Sequence, residues 1–170
     1  AMLALVDSDT RLVFIANPNN PTGTWVERDR LHRFLQQLPA HVIAVVDEAY
    51  HEYAQGGDFP DASQWLGQFP NLVVTRTFSK AYGLAGLRVG YGLSSPEIAS
   101  LLNRVRQPFN VNELGQRAAL AALQEQEWVV RCCAESCAER ARVCDGLADL
   151  GIDCLPSRGN FLLAEVHDAR

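Results

Sequence analysis

Five consecutive apolar residues, Val42-Ile-Ala-Val-Val46, stop abruptly at Asp47. A strand that is apolar at every position has to be covered on both faces, which is the situation of strands in parallel sheets wrapped by helices. The flanking sequence agrees. Leu12–Ala16, Leu72–Thr75 and the glycine-rich Val89–Leu93 also read as short strands. Between the first two strands, Trp25–Leu38 places Val26, Leu31, Phe34, Leu35 and Leu38 near helical spacing. Strands alternating with helical stretches predict an open α/β sheet with helices on its faces.

The later sequence is mostly helical. Pro96–Arg104 reads as a helix with Pro in its first turn, and Glu113–Leu123 as a second, rich in Ala and Leu. Trp128–Leu150 reads as a third, weakened at Gly146 and stopped at Gly151. Asn160–Val166 is then a further strand candidate. A long helix followed by a new strand predicts a domain boundary, so residues 1–146 and 147–170 are expected in different domains. The chain opens on Ala1-Met2 and ends soon after that last strand, as a piece of a longer protein would.

Composition narrows the possible partners. The 170 residues carry a net charge of -5, which lacks the basic surface that nucleic-acid binding needs. No apolar run approaches the ~20 residues of a membrane span, and no basic-then-apolar pattern of a secretory signal is visible in these residues. Cys132, Cys133, Cys137, Cys144 and Cys154 are odd in number, so they cannot all pair internally. Cys133, Cys137 and Cys144 share one helical face, without the partners of a metal site; reduced, buried thiols in a cytoplasmic protein are expected. His32, His41, His51 and His167 have no evident partner set and read as surface or structural residues.

Polar clusters follow the strands, and open α/β sheets bind ligands at the carboxyl ends of their strands. Asn17-Pro-Asn-Asn-Pro-Thr-Gly23 is a rigid turn offering side-chain amides and a hydroxyl. Asp47-Glu-Ala-Tyr50 puts a carboxylate at what should be a buried sheet edge, where it needs a cation or several donors. Thr77, Ser79 and Arg88 combine hydroxyls with a guanidinium fork suited to phosphate, and partial burial of Lys80 would make it a nucleophilic amine. Taken alone, the first and third clusters are better explained by a self-capped turn and a solvated Lys, and the second as well by a capping Asp. Gly83, Gly86 and Gly90 match neither dinucleotide nor P-loop spacing. Together, an amine, an anion clamp and a carboxylate match the aldehyde, phosphate and pyridine nitrogen of pyridoxal phosphate.

Several strings make the chain resemble the fold-type-I, pyridoxal-phosphate-dependent aminotransferases over nearly its whole length. They are Asn19-Asn-Pro-Thr-Gly23, Asp47-Glu-Ala-Tyr50 and Phe78-Ser-Lys-Ala-Tyr-Gly-Leu-Ala-Gly-Leu-Arg-Val-Gly-Tyr91. Two more, Arg106-Gln-Pro-Phe-Asn-Val-Asn112 and Pro156-Ser-Arg-Gly-Asn-Phe-Leu-Leu163, resemble the histidinol-phosphate branch.

The resemblance implies that residues 1–146 are the later part of the cofactor-binding large domain, and 147–170 the start of the small domain. It implies that Lys80 is joined to the cofactor's aldehyde carbon and carries the proton moved during transfer. Asp47 would pair with the pyridine nitrogen, and Tyr50 and Asn20 would hydrogen-bond the phenolic oxygen. Thr77, Ser79 and Arg88 would hold the phosphate. It further implies a cytoplasmic homodimer that moves an amino group between histidinol phosphate or imidazole-acetol phosphate and the glutamate/2-oxoglutarate pair. The family's backbone phosphate loop, its ring-stacking aromatic and its carboxylate-binding arginine have no match here, so residues 1–170 alone are expected to turn over little. A threonine-phosphate decarboxylase, an aromatic aminotransferase or a non-catalytic effector-binding domain would share the same core motifs.

Overall fold

Val42–Val46 lies in the interior of a four-stranded sheet. The computed structural model describes residues 2–54 and 56–166. Strands β1 (Leu12–Ala16), β2 (Ile43–Asp47), β3 (Leu72–Thr77) and β4 (Gly90–Ser94) lie in that order. The first three are parallel and β4 runs antiparallel to β3. Asp47 pairs with Ala16 on one side and Thr75 on the other, and Thr77 with Gly90. The ends of three strands and the start of the fourth therefore lie along one edge of the sheet.

Helix α1 (Arg28–Gln37) connects β1 to β2 and buries Leu31 and Leu35, one turn apart, on the sheet. The core there joins Val13, Ile15, Val42, Ala44, Val46 and Val74 to Trp65 and Phe69. The other face of β1 is open, with Leu12 51% and Phe14 67% exposed.

The helix expected from Trp25 starts at Arg28, because the Asn17 side chain claims the backbone of Val26. Asn17 Oδ1 accepts from the Val26 N–H at 2.7 Å, and its Nδ2 donates to the Val26 carbonyl. Trp25 Nε1 donates to Asp58.

A short helix α2 (His51–Ala54) follows β2, and α3 (Pro96–Val105), α4 (Glu113–Ala122) and α5 (Gln126–Ala148) follow β4. Pro96 occupies the first turn of α3, with Ser95 capping it. Gly151, at φ +74°, ends the turn after α5, and Ile152 N–H bonds back to the Leu147 carbonyl. The position expected as a domain boundary falls in the last turn of α5. Val129 and Cys133 of α5 pack with Phe78, Ala81, Tyr82 and Val89, so a second apolar cluster supports the segment around Lys80.

The strand expected at Asn160–Val166 is reduced to one bridge, Ala164 against Cys154. Leu155 N–H donates to the Leu163 carbonyl and Glu165 N–H to the Asp153 carbonyl. Among the described residues this segment meets no longer strand, so the pairing goes no further.

All five thiols are free, but only Cys133 is buried. Burial pushes the Cys133 thiol up to about 11. Cys137 Sγ donates to the Tyr53 carbonyl. Among the described residues, no helix is long and apolar enough to cross a membrane. His32 and His41 are not buried, His51 is, and His167 lies outside the described residues.

Candidate active site

The turn after β1 brings Asn20 to the segment after β2. Asn20 Nδ2 donates to Tyr50 Oη at 2.8 Å. That bond uses a lone pair of the hydroxyl and leaves its proton free to donate elsewhere. Tyr50 is buried, and the Lys80 amine lies 5.2 Å from the centre of its ring. Phe161 meets the same ring edge-on, with centroids 5.0 Å apart at 76°. Residues 20, 50, 80 and 161 are thus gathered from four stretches of chain.

A second group adjoins Lys80. Ser79 N–H donates to Thr77 Oγ1 at 3.0 Å, and the Arg88 guanidinium donates to Ser79 Oγ at 3.3 Å and to the Ala85 carbonyl at 2.8 Å. Arg88 sits in the left-handed region at φ 55°, an unusual conformation for a residue with a Cβ. Its two bonds fix the guanidinium beside Ser79, next in sequence to the lysine. Arg88 is exposed, and Thr77 and Ser79 are half-buried beside it, where β3 ends.

Two expectations are corrected here. Lys80 is exposed in this chain, not partly buried, with the Tyr50 ring beside its amine. Asp47 is exposed too, and its recorded side-chain bond is from the Ala49 N–H at 3.1 Å. Successive residues of a strand point to opposite faces. Asp47 follows Ile43 and Val45 onto the more open face, whereas Glu48 continues the buried line of Ala44 and Val46.

Glu48 is therefore the buried carboxylate. Register places it beside Arg76, and two guanidinium N–H groups reach Glu48 Oε2 at 3.0 and 2.7 Å. The Ala62 N–H occupies Oε1 at 2.8 Å, and Arg76 also donates to Asp61 at 2.6 Å. Burial pushes the Glu48 carboxyl above its usual range, against the pull of Ala62 and Arg76. Burial acts the same way on Asp61, but Ser63, Arg76 and His51 outweigh it and hold the carboxyl low. Glu48, His51 and Asp61 are close enough to suit a metal, yet the Arg76 guanidinium lies among them and makes the cluster an ion-pair network.

Burial, then the charge of Arg76, lowers His51 to about 4. The ring is neutral at neutral pH. Because its folded pKa lies below the ordinary 6.5, the unfolded chain binds the proton more tightly. The His51 contribution is fully present above pH 6.5 and is lost as pH falls towards 4, by about 3 kcal/mol in all. Glu48, raised on folding, contributes with the opposite sign in the acid range. Denaturant titrations of the wild type and His51→Gln should diverge between pH 6.5 and 4, with the variant less acid-sensitive; parallel curves would contradict the assignment.

A family model for aminotransferase class I and II matches residues 1–170. The chain is 60% identical over 161 residues to histidinol-phosphate aminotransferase 2 of Methylococcus capsulatus, covering 95% of this chain and 43% of that protein. It is 54% identical over 166 residues to the Pseudomonas fluorescens protein of the same name, covering 98% and 45%. It spans less than half the length of these relatives. Among solved structures, histidinol-phosphate aminotransferase of Sinorhizobium meliloti in complex with pyridoxal-5'-phosphate superposes with a TM-score of 0.86 at 39% identity, over 92% of this chain and 42% of that one. With the whole length matched by the family model and this sheet edge behind it, the chain belongs to the class I and II aminotransferases.

Proposed function

We propose that this chain carries the lysine-bearing part of a pyridoxal-phosphate-dependent histidinol-phosphate aminotransferase. The observation that carries the reading is the Lys80 amine over Tyr50, with the Arg88–Ser79 anion clamp one residue from the lysine. The donor set fits the cofactor: an exposed amine for an aldehyde, hydroxyls and a guanidinium for a phosphate, and an exposed carboxylate for a protonated ring nitrogen. When bound, pyridoxal phosphate supplies an aldehyde for amines and a ring that withdraws electrons from the substrate's Cα.

Lys80 is the residue that would hold the cofactor through its aldehyde, and its amine would take and return the proton at the substrate's Cα. Asp47 keeps the ring nitrogen protonated; being exposed in this chain, it is open to that partner. Tyr50, with its oxygen held by Asn20, donates its free proton to the phenolic oxygen, and the second N–H of Asn20 is directed by the same bond. Arg88, Ser79 and Thr77 bind the phosphate. We assign residues 1–146 to the cofactor-binding domain and 147–170 to the beginning of the next. The protein acts as a cytoplasmic homodimer, a setting that accords with its free thiols.

Kinetics on the complete reading frame containing this chain test the proposal. Histidinol phosphate with 2-oxoglutarate should be the preferred pair; release of carbon dioxide, or preference for an aromatic amino acid, would overturn it. Arg88→Ala should weaken cofactor affinity about 10- to 100-fold, the loss of charge-assisted hydrogen bonds. Arg88→Lys should restore only part, because an ammonium cannot reproduce the guanidinium fork. Fluorescence titration of the cofactor-free protein reads both.

A further inference from the structure

We propose that the turn Ser157–Phe161 is a clamp that positions Asn20 and Tyr50, with Arg158 and Phe161 as its positioning residues. The inference rests on the proposed facing of Tyr50 to the cofactor's phenolic oxygen.

Asn20 and Tyr50 belong to loops distant in sequence, and Arg158 bonds to both. Its N–H donates to the Gly23 carbonyl at 2.8 Å, on the Asn20 loop. Its guanidinium donates to the carbonyls of Ala54 at 3.0 Å and Gly56 at 3.1 Å, and to Asp58 Oδ1 at 3.1 Å, all beyond Tyr50. The same group lies 4.5 Å from the ring centre of Trp25, which returns to the first loop. A planar fork with several donors and a stacking face can make these contacts together, and a lysine cannot.

The turn is held independently of the site. Ser157 Oγ donates to the Phe161 carbonyl at 2.7 Å and accepts from the Gly159 N–H at 3.1 Å, and Arg140 of α5 donates to the Gly159 carbonyl. Its approach to the first loop is so close that a Cβ on Gly23 would stand 2.1 Å from Ser157 Oγ. With the turn held in this way, Phe161 presents its ring to Tyr50. Edge-to-face pairs of this kind restrict ring orientation beyond what burial alone does. The Tyr50 hydroxyl is thus fixed by Asn20 at its oxygen and by Phe161 at its ring, and Arg158 ties both supports together.

The test uses the complete protein loaded with pyridoxal phosphate and follows the pH dependence of the bound cofactor's visible absorption. Donation from Tyr50 to the phenolic oxygen competes with the hydrogen bond internal to the bound cofactor, and so lowers the midpoint of the spectral transition. Arg158→Ala, Arg158→Lys and Phe161→Leu should raise that midpoint by about half a unit to one unit, the effect of one weakened hydrogen bond. Phe161→Tyr, which keeps the ring, should titrate as the wild type, as should the surface variant Arg117→Ala. If the Arg158 variants do not fold, the contrast between Phe161→Leu and Phe161→Tyr decides alone. Unshifted midpoints in the folded clamp variants, with a normal wild-type band, would overturn the clamp and leave the function standing. A wild type that forms no cofactor band would overturn both.

Discussion

Replacing Lys80 with alanine should lower the rate of amino transfer by about 10⁴-fold while leaving the fold intact. The amine serves as the cofactor's covalent anchor and as the base at the substrate's Cα, and general-base contributions alone reach about 10⁴. Stability should change by no more than about 0.5 kcal/mol, because the side chain is exposed and its recorded contact is a ring face. The phosphate clamp does not include the amine, so the variant should still bind cofactor through Arg88, Ser79 and Thr77. Single-turnover rates and thermal unfolding of the same preparations separate these effects. A variant retaining a tenth of wild-type activity would remove Lys80 from the chemistry.

Arg76→Met should have the larger effect on folding. It strips Glu48 of its cationic partner while leaving the carboxylate buried against Ala62 and beside His51. Breaking a buried pair from one side costs about 3–5 kcal/mol, chiefly through the stranded charge. Arg76→Met with Glu48→Gln should regain part of the loss, since the stranded charge is then gone. Denaturant unfolding of the two variants measures the difference, and equal destabilisation of single and double variants would contradict a charge-based cost. The network lies directly behind the site: Glu48 follows Asp47, and Arg76 precedes Thr77. Its loss should therefore also loosen the edge that presents both.

Much of this was legible in the sequence. The apolar run before Asp47 marked an inner strand, and the motif around Lys80 and Arg88 marked one place where charge and hydroxyls gather. The strand runs one residue past the apolar stretch to include Asp47, which is exposed and not buried, because a run apolar at every position does not reveal which face the next residue takes. The information lay in parity: Glu48 falls in line with Ala44 and Val46, and Arg76 with Leu72 and Val74, on neighbouring parallel strands. Two opposite charges extending two buried lines could have indicated a buried ion pair. Residues 25–27 are harder, since helical spacing does not reveal that the Asn17 side chain, nine residues earlier, takes both backbone groups of Val26. Arg158 stands in the sequence only as part of the Pro156–Leu163 string, because the partners of its guanidinium lie about one hundred residues away.

The central claim is that Lys80, the only lysine of this chain, is the amine that holds the cofactor. Reduction of the cofactor-loaded complete protein with borohydride, followed by peptide mapping, tests it directly. A single pyridoxyl-modified peptide containing Phe78-Ser-Lys-Ala81 is expected; the label on any other lysine, with Lys80 unmodified, would contradict the assignment.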